Sequence, residues 1–303
     1  MSSLRRYNIT RAFRNRIHST WMILVLSFSL LLPVMLGIGL YLKSVPLLED
    51  QSLFGILFSG TWKPLSGHFG LLPFIVSSLW VTVLALLIAG PICLLSAIHL
   101  TQYARPVVLK IMHPVIDILA GIPSVIFGVW GVLVIVPWVA EVIGPFFGKN
   151  ITGYSIFSGG VVLAVMIIPF ILNILIEVFR TVPEELTEAT LSLGATRWMF
   201  VKHVLIRKAF PGIVSAFSLG LSRAFGETIA VLMVVGNVTR IPNGALQPGY
   251  PLPALIANNY GEMLSIPMYD SALMLAALVL LVIVILFNIL SRWLIYRVEK
   301  NVG

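Results

Sequence analysis

Two charged side chains stand inside a long apolar stretch, and they are the residues of this chain best suited to chemistry. Arg223 and Glu227 lie in SRAFGET, between PGIVSAFSLGL and IAVLMVVGN. A guanidinium group presents a planar fork of N–H donors that matches the oxygen atoms of an oxyanion. A carboxylate four residues later shares a helix face with it and can pair with it. The spacing predicts a switchable ion pair, in which Arg223 leaves Glu227 to bind a passing anion.

The cost of these charges indicates a role beyond helix stability. A charged Arg near the centre of a bilayer costs about 2.5–3.5 kcal/mol on insertion scales. An ion pair at this spacing stabilises a helix by only about 0.2–0.5 kcal/mol. The more favourable order places the acidic residue first, whereas Arg223 precedes Glu227 here. We therefore expect Arg223 and Glu227 to face a bundle interior or an aqueous pathway. The alternative is a salt bridge that only locks two helices or two subunits together.

Other polar residues of the apolar segments give weaker signals. Ser124 follows Pro123 in GIPS, where the proline opens a helical turn, so both an oxyanion contact and a simple structural kink stay open. Asp117 is expected to cap the third apolar segment at the membrane surface rather than to act in transport. The histidines show no spacing typical of metal ligands, so no metal site is predicted.

The composition predicts a membrane protein. Hydrophobic residues make up 58% of the 303 residues and charged residues only 11%, whereas a soluble domain has about a quarter of its residues charged. The apolar residues also cluster in long runs, which favours a polytopic membrane protein over a soluble core. The basic residues flank these runs and form no continuous patch, which argues against a nucleic-acid partner.

Six segments are long enough to cross the hydrocarbon core of a bilayer, which takes about 20 apolar residues. They are helical by expectation, because open strand edges cannot be satisfied in lipid. The first is too long for a signal-peptide core and no clear cleavage site follows it, so we expect it to stay in the chain. The predicted organisation is an all-α protein with a basic leader over 1–20 and one transmembrane domain over 21–303. The predicted spans are 21–42, 71–98, 113–140, 157–176, 212–236 and 271–291.

The positive charges predict the orientation. With the N-terminus in the cytoplasm, 15 of the Lys and Arg residues fall on the cytoplasmic side and 4 on the opposite side. Loops rich in Lys and Arg stay in the cytoplasm, so both termini are predicted to be cytoplasmic. A chain with this arrangement is expected to contact membrane lipid along its spans.

The cytoplasmic connection over 180–210 is predicted to form two short helices. Thr181 and Glu184 have the spacing of a capping box, with Pro183 in the first turn. Glu184, Glu185 and Glu188 would lie near the positive end of the helix dipole, and Gly194 would end the helix. These residues alone leave two interpretations open, a solvated amphipathic hairpin and a docking site for a partner.

The same connection resembles the EAA loop of ABC-importer permeases. In EATLSLGATRWMFVKHVLI, the residues Glu188, Ala189 and Gly194 have the spacing of that motif, while Thr190 and Arg207 depart from it. The resemblance implies the type I ABC importer permease architecture. It also implies that the loop carries a coupling helix, which fits a groove on an ATP-hydrolysing subunit. The coupling residues would be Glu184, Glu185, Glu188, Ala189, Gly194 and Ala195.

Three further stretches resemble the PstC-type permease subunit of phosphate-specific ABC importers: DILAGIPSVIFG, SRAFGETIAVLMVVGN and LPALIANNYGE. This resemblance implies a permease in a prokaryotic inner membrane that translocates inorganic phosphate along a route lined by Arg223, Glu227 and, more weakly, Ser124. It also implies a heterodimer with a PstA-type permease, two copies of an ATP-binding subunit, and an extracytoplasmic phosphate-binding protein. Lys149, Arg240 and the loop 237–270 would face that binding protein.

The chain has no G-x-x-x-x-G-K-[S/T] loop, so it is not expected to bind ATP in that way or to be an enzyme. ATP and Mg²⁺ would belong to the separate ATPase subunit, and no cofactor is predicted on this chain. Three alternatives stay open: a permease for another oxyanion such as sulfate or molybdate, an ATP-independent channel or carrier, and a membrane sensor scaffold.

Overall fold

A computed structural model describes residues 2–262, 266 and 268–302 of the chain. The side chains of residues 2–17, 298, 299, 301 and 302 fall outside this description, and with them the arginines of the predicted leader. The described part is mostly helical, with one small antiparallel pair of strands and several irregular connections, the longest of them between Val234 and Leu252. The elements up to the second span are α1 (Ser2–Asp50), α2 (Leu53–Phe58), β1 (Trp62–Lys63), a 3₁₀ turn (Pro64–Ser66), β2 (His68–Phe69) and α3 (Leu72–Ile98).

Some of the remaining helices are joined by wider, π-helical turns. The middle of the chain forms α4 (Pro106–Gly121), α5 (Ser124–Trp130), α6 (Val136–Trp138), α7 (Gly144–Phe146), α8 (Ile156–Arg180) and α9 (Glu184–Ser192). The last part forms α10 (Arg197–Phe200), α11 (Ile206–Gly226), α12 (Ile229–Val234), α13 (Leu252–Asn259) and α14 (Tyr269–Val302). The π turns are His99–Tyr103, Gly131–Ile135, Val139–Ile143 and Val201–Leu205.

Six helical stretches of the described chain are long and apolar enough to cross a membrane, which confirms the predicted all-α class with six spans. The second and fourth spans are the most deeply packed, whereas the first has no buried side chain in its most apolar part. The six stretches are His18–Asp50, Leu72–Tyr103, Ser124–Phe146, Ile156–Arg180, Arg197–Gly226 and Tyr269–Arg297.

The third span starts later than predicted, because a proline interrupts the helix. Helix α4 ends at Gly121, Ile122 is extended, and the third span begins at Ser124 after Pro123. A proline disfavours helical geometry in the residue before it and offers no N–H to the preceding turn. Asp117 therefore lies inside α4 and does not cap the third span, so that prediction was wrong.

The fifth span differs from the prediction at both of its ends. The predicted second helix of the loop is not separate, because α10, a π turn and α11 form one continuous stretch from Arg197 to Gly226. The stretch then ends ten residues before the predicted end at 236, since Glu227 has extended backbone angles of φ −73° and ψ 124°. A short helix, α12, resumes at Ile229.

The second and fourth spans pack closely through a stripe of small residues. Ala85, Ala89, Cys93 and Ala97 recur every four positions on α3, and all four are fully buried. On α8, a Cβ atom built at Gly160 would lie 2.6 Å from the side chain of Leu84. Small residues let two helix backbones approach closely, and van der Waals packing is the main attraction between helices in lipid. These two spans form the rigid centre of the bundle.

At the opposite end from the α8–α9 connection, the segment after α12 folds back into the bundle. Part of the loop 237–270 lies in the interior, because Leu252 and Leu255 are fully buried. The backbone N–H of Tyr250 donates to Ser77 Oγ at 3.1 Å, and that of Leu252 donates to Ser78 Oγ at 2.8 Å. These bonds let irregular backbone lie inside the bundle, because its donors are satisfied by protein rather than by water.

We expect Ala89→Leu to destabilise the chain, because three extra carbon atoms cannot fit into the closed seam between α3 and α8. Overpacking of this kind typically costs about 1–3 kcal/mol. Thermal unfolding of the purified protein in detergent measures the effect. Val83→Leu, on the same helix but 46% exposed, is the control and should melt like the wild type. Equal melting temperatures for the two variants would contradict the rigid seam.

Candidate substrate pathway and coupling loop

Arg223 lies in the last turn of α11 and is half-buried. Its Cζ atom stands 4.8 Å from the centre of the Phe170 ring on the fourth span. The ring face attracts a cation, and the negative end of the helix dipole also favours a positive charge at this position. The described residues contain no ion pair to Arg223. The guanidinium is thus positioned by an aromatic ring and a helix end, and its N–H donors remain available to an anion.

Glu227 does not share a helix with Arg223, so the predicted pairing geometry was wrong in this conformation. Because α11 ends at Gly226, the four-residue spacing no longer puts the two side chains on one helical face. The Oε1 atom of Glu227 instead accepts a hydrogen bond from the backbone N–H of Ala230 at 3.0 Å. That N–H lies in the first turn of α12, where helix donors have no partner within the helix. The carboxylate therefore stabilises the break in the fifth span.

A polar contact that sequence reasoning missed joins α4 to the fourth span. The side-chain amide of Asn173 donates to Asp117 Oδ1 at 2.7 Å. The Oδ1 atom of Asn173 is buried and finds no partner within the described residues. Asn173 interrupts the apolar run of α8, and a polar residue within a span is the same signal that singled out Arg223. The sequence therefore indicated that Asn173 is unusual, but it did not reveal that its partner is Asp117, 56 positions away.

One face of α8 collects these contacts. Phe170, Asn173 and Glu177 follow each other at helical spacing and face Arg223, Asp117 and His113 respectively. The last of these contacts is looser, with 3.7 Å between His113 Nε2 and Glu177 Oε1. A row of polar and aromatic side chains thus runs along the fourth span from Arg223 toward the α8–α9 connection.

Ser222, which precedes Arg223 in the chain, makes a second partly buried polar contact. Asn288 of the sixth span donates to Ser222 Oγ at 3.0 Å. Ser124, by contrast, is half-buried at the start of α5, and the structure records no side-chain hydrogen bond for it within the described residues. Arg223 and its neighbour Ser222 thus contact the fourth and sixth spans, through Phe170 and Asn288 respectively.

The acidic residues of the loop lie at the start of α9, but the predicted capping box does not form. The helix begins at Glu184, directly after Pro183, and Glu184, Glu185 and Glu188 are all exposed. The hydroxyl of Thr181 donates back to the carbonyl of Val178 at 2.7 Å and so extends the end of α8. Pro183, with an extended ψ of 136°, takes the capping position instead.

Gly194 ends α9 as predicted, and its backbone geometry explains why. Its φ of +81° lies in the left-handed region. The N–H of Gly194 donates to the carbonyl of Leu191 at 2.9 Å, and that of Ala195 donates to Thr190 at 3.4 Å. This pair of bonds is the Schellman motif. It turns the chain sharply after Leu193 and so ends α9.

A cavity of about 360 Å³ separates α9 from the ends of the second, fourth and fifth spans. Its polar lining includes Arg180, Glu184, Glu188 and Arg197. Arg197 Nη1 donates to the backbone carbonyl of Gln102 at 2.8 Å across this region. The loop is thus linked to the second span as well as to the two spans that it connects.

Six apolar helices, one of which carries a half-buried guanidinium, and an exposed short helix between two of them are typical of a polytopic membrane transport component rather than an enzyme. The chain belongs to the family of binding-protein-dependent transport system inner membrane components, whose model matches residues 89–303. It is accordingly a multi-pass inner-membrane protein that works within an ABC transporter.

Several curated relatives cover most of the chain. The phosphate transport system permease protein PstC of Haemophilus influenzae is 35% identical over 91% of this chain and 92% of its own length. The probable ABC transporter permease protein YqgH of Bacillus subtilis is 38% identical over 83% and 80%. The probable phosphate transport system permease protein PstC of Methanocaldococcus jannaschii is 32% identical over 87% and 88%.

A solved structure has the same fold. A chain from inward-facing MetNI, a methionine ABC transporter, superposes with a TM-score of 0.54 at 22% identity, and the match covers 73% of this chain and 93% of that one. At this identity the likeness concerns the fold alone. It confirms the predicted type I ABC importer permease architecture.

We expect Gly194→Ala to loosen α9, because a side chain in the left-handed region costs roughly 1–2 kcal/mol. Amide hydrogen exchange over 187–192 should accelerate about fivefold or more, since that is the effect of about 1 kcal/mol on an opening equilibrium. Gly121→Ala is the matched control. A Cβ atom meets no neighbour within 4 Å at either glycine, but only Gly194 has a positive φ. Unchanged exchange in Gly194→Ala would contradict the role of the turn.

Proposed function

We propose that this chain is the permease subunit of an ATP-driven importer that translocates inorganic phosphate delivered by an extracytoplasmic binding protein. The observation that carries the proposal is the half-buried Arg223, which contacts the Phe170 ring and has no acidic partner within the described residues. Relatives named as phosphate transport permeases, from bacteria and an archaeon, support the choice of substrate. Planar guanidinium donors match the oxygen atoms of phosphate.

Arg223, Glu227 and Ser124 are proposed to line the phosphate route, with Arg223 making the main contact. Glu227 is proposed to alternate between two partners, the backbone N–H of Ala230 and the guanidinium of Arg223. In the conformation described here, it is held by the Ala230 amide, and Arg223 is free to meet an anion. Releasing that amide would let the carboxylate neutralise Arg223 once phosphate has passed, which would prevent the positive charge from trapping the anion.

The loop over 180–210 is proposed to couple this route to ATP hydrolysis. The exposed helix α9, with Glu184, Glu185, Glu188 and Ala189, would enter a groove on the ATPase, and the turn at Gly194 and Ala195 would direct it there. We propose a PstA-type permease as the second membrane subunit, and two copies of an ATP-binding subunit that hold ATP and Mg²⁺. In this arrangement both termini lie in the cytoplasm, and Lys149 and Arg240 face the phosphate-binding protein.

We expect Arg223→Gln to reduce phosphate uptake about 10- to 100-fold, because hydrogen bonds to charged groups contribute about 1.5–3 kcal/mol. The measurement is ATP-dependent uptake of labelled phosphate by the intact complex in liposomes with its binding protein. Arg292→Gln removes an exposed guanidinium from α14, outside the coupling loop, and should transport like the wild type. Normal uptake by Arg223→Gln would refute the pathway role, and loss of subunit assembly would favour a structural salt bridge instead.

The substrate is tested separately with the wild-type complex. Excess unlabelled phosphate should abolish labelled uptake, whereas excess sulfate or molybdate should not. Competition by sulfate equal to that by phosphate would assign the chain to another oxyanion importer. Uptake that continues without the ATPase subunit would instead indicate a channel or carrier.

A further inference from the structure

Within the described residues, one side-chain hydrogen bond links the connection between the fourth and fifth spans to a span that it does not join. Most side-chain hydrogen bonds over 181–200 are local, such as Thr190 to Leu186 and Ser192 to Glu188. Thr181 bonds back to Val178 on the fourth span, and His203 of the fifth span contacts the carbonyl of Met199. Within the described residues, only the bond from Arg197 Nη1 to the carbonyl of Gln102 reaches a different span, across 95 positions of sequence. No ion pair joins Arg197 to Glu184 or Glu188 in that part of the chain, although all three line the same cavity.

The acceptor of this bond is a helix end that needs a donor. Gln102 lies in the π turn His99–Tyr103, which ends the second span. The last carbonyl groups of a helix have no partner within the helix, and a cation there also interacts favourably with the helix dipole. Arg197 supplies both the donor and the charge. It thereby caps the second span from a different part of the chain.

The two elements that Arg197 joins are mechanically different. The second span is locked to the fourth by the small-residue stripe with Ala89 and Cys93, so its end moves with the rigid centre of the bundle. Arg197 itself begins the continuous stretch to Gly226, which carries Arg223 about 39 Å away at 1.5 Å per residue. The π turn Val201–Leu205 lies just after Arg197 in this stretch. Wider helical turns of this kind are frequent at functional positions.

We propose that Arg197 is a positioning residue for coupling: its bond to Gln102 holds the start of the fifth span against the second span. A displacement of α9 then moves the fifth span about this fixed point and so reaches Arg223. Without the bond, α9 and the start of the fifth span shift together. The displacement of α9 is then not transmitted along the fifth span to Arg223. This inference rests on the proposed function, because it requires a partner ATPase that moves α9.

The test is the ratio of ATP hydrolysed to phosphate imported by the intact complex in liposomes with its binding protein. Arg197→Gln should raise this ratio about tenfold, the usual effect of losing a charge-assisted hydrogen bond, while the ATPase subunits still co-purify. Arg197→Lys keeps the charge and one donor direction and should restore part of the coupling. Arg292→Gln removes an exposed arginine of α14, which lies outside the coupling loop and the proposed pathway, and this control should keep the wild-type ratio.

Two outcomes overturn the inference. A wild-type ratio in Arg197→Gln means that the bond to Gln102 transmits nothing. Loss of the ATPase subunits from that variant means that Arg197 is a docking contact. Both differ from a failure of the proposed function, in which the wild-type complex itself would show no ATP-driven phosphate uptake.

A second measurement avoids removing Arg197. Spin labels at Tyr103→Cys and Trp198→Cys, both exposed positions beside the bonded residues, report the distance across the contact. The native Cys93 is fully buried and stays unlabelled. We expect the Tyr103–Trp198 distance to be the same with and without ATP. The distance between a label on α9 and the label at Tyr103→Cys should change. A Tyr103–Trp198 distance that changes on ATP binding overturns the proposal.

Discussion

The structure depends on one constraint: inside a bilayer, a backbone donor or acceptor that leaves a helix must find a partner in the protein. Each break in the helical path of this chain meets that requirement differently. Ser77 and Ser78 accept from the segment at 250–252, and Glu227 accepts from the start of α12. Arg197 donates to the end of the second span. Several polar side chains of this apolar chain therefore serve to satisfy the backbone where a helix stops.

The distribution of helix breaks explains how a stiff bundle can also hold a movable element. The second and fourth spans have no interruption at their seam, where Ala85 and Ala89 allow close contact along the helices. The fifth span has the opposite character, because it is interrupted at Glu227 and widened by a π turn near Arg197. The residue best suited to an oxyanion lies at the end of the interrupted span. The fifth span thus carries both the anion-binding candidate and the breaks that allow movement, and it packs beside the rigid second and fourth spans.

The sequence predicted well those features that follow from local composition. The helical class and the six spans followed from apolar runs long enough to cross a bilayer, and Gly194 as a helix end followed from the left-handed geometry that glycine favours. It failed where two local rules competed. Thr181 had the spacing of a capping box, but its hydroxyl bonded the preceding helix instead. Arg223 and Glu227 had the spacing of a helical pair, yet the helix ended between them, which no periodicity of the apolar residues revealed.

The sequence by itself determined that the chain crosses a membrane and that it carries a costly guanidinium in its fifth span, since hydropathy and charge are properties of residue type. Only the tertiary structure decided what surrounds that guanidinium. Phe170 beneath Arg223, Asn173 against Asp117 and the carbonyl of Gln102 facing Arg197 are contacts between residues 53 to 95 positions apart. Such partners depend on where each helix breaks and how the spans pack, and one residue in a span has many candidate neighbours until the bundle is assembled.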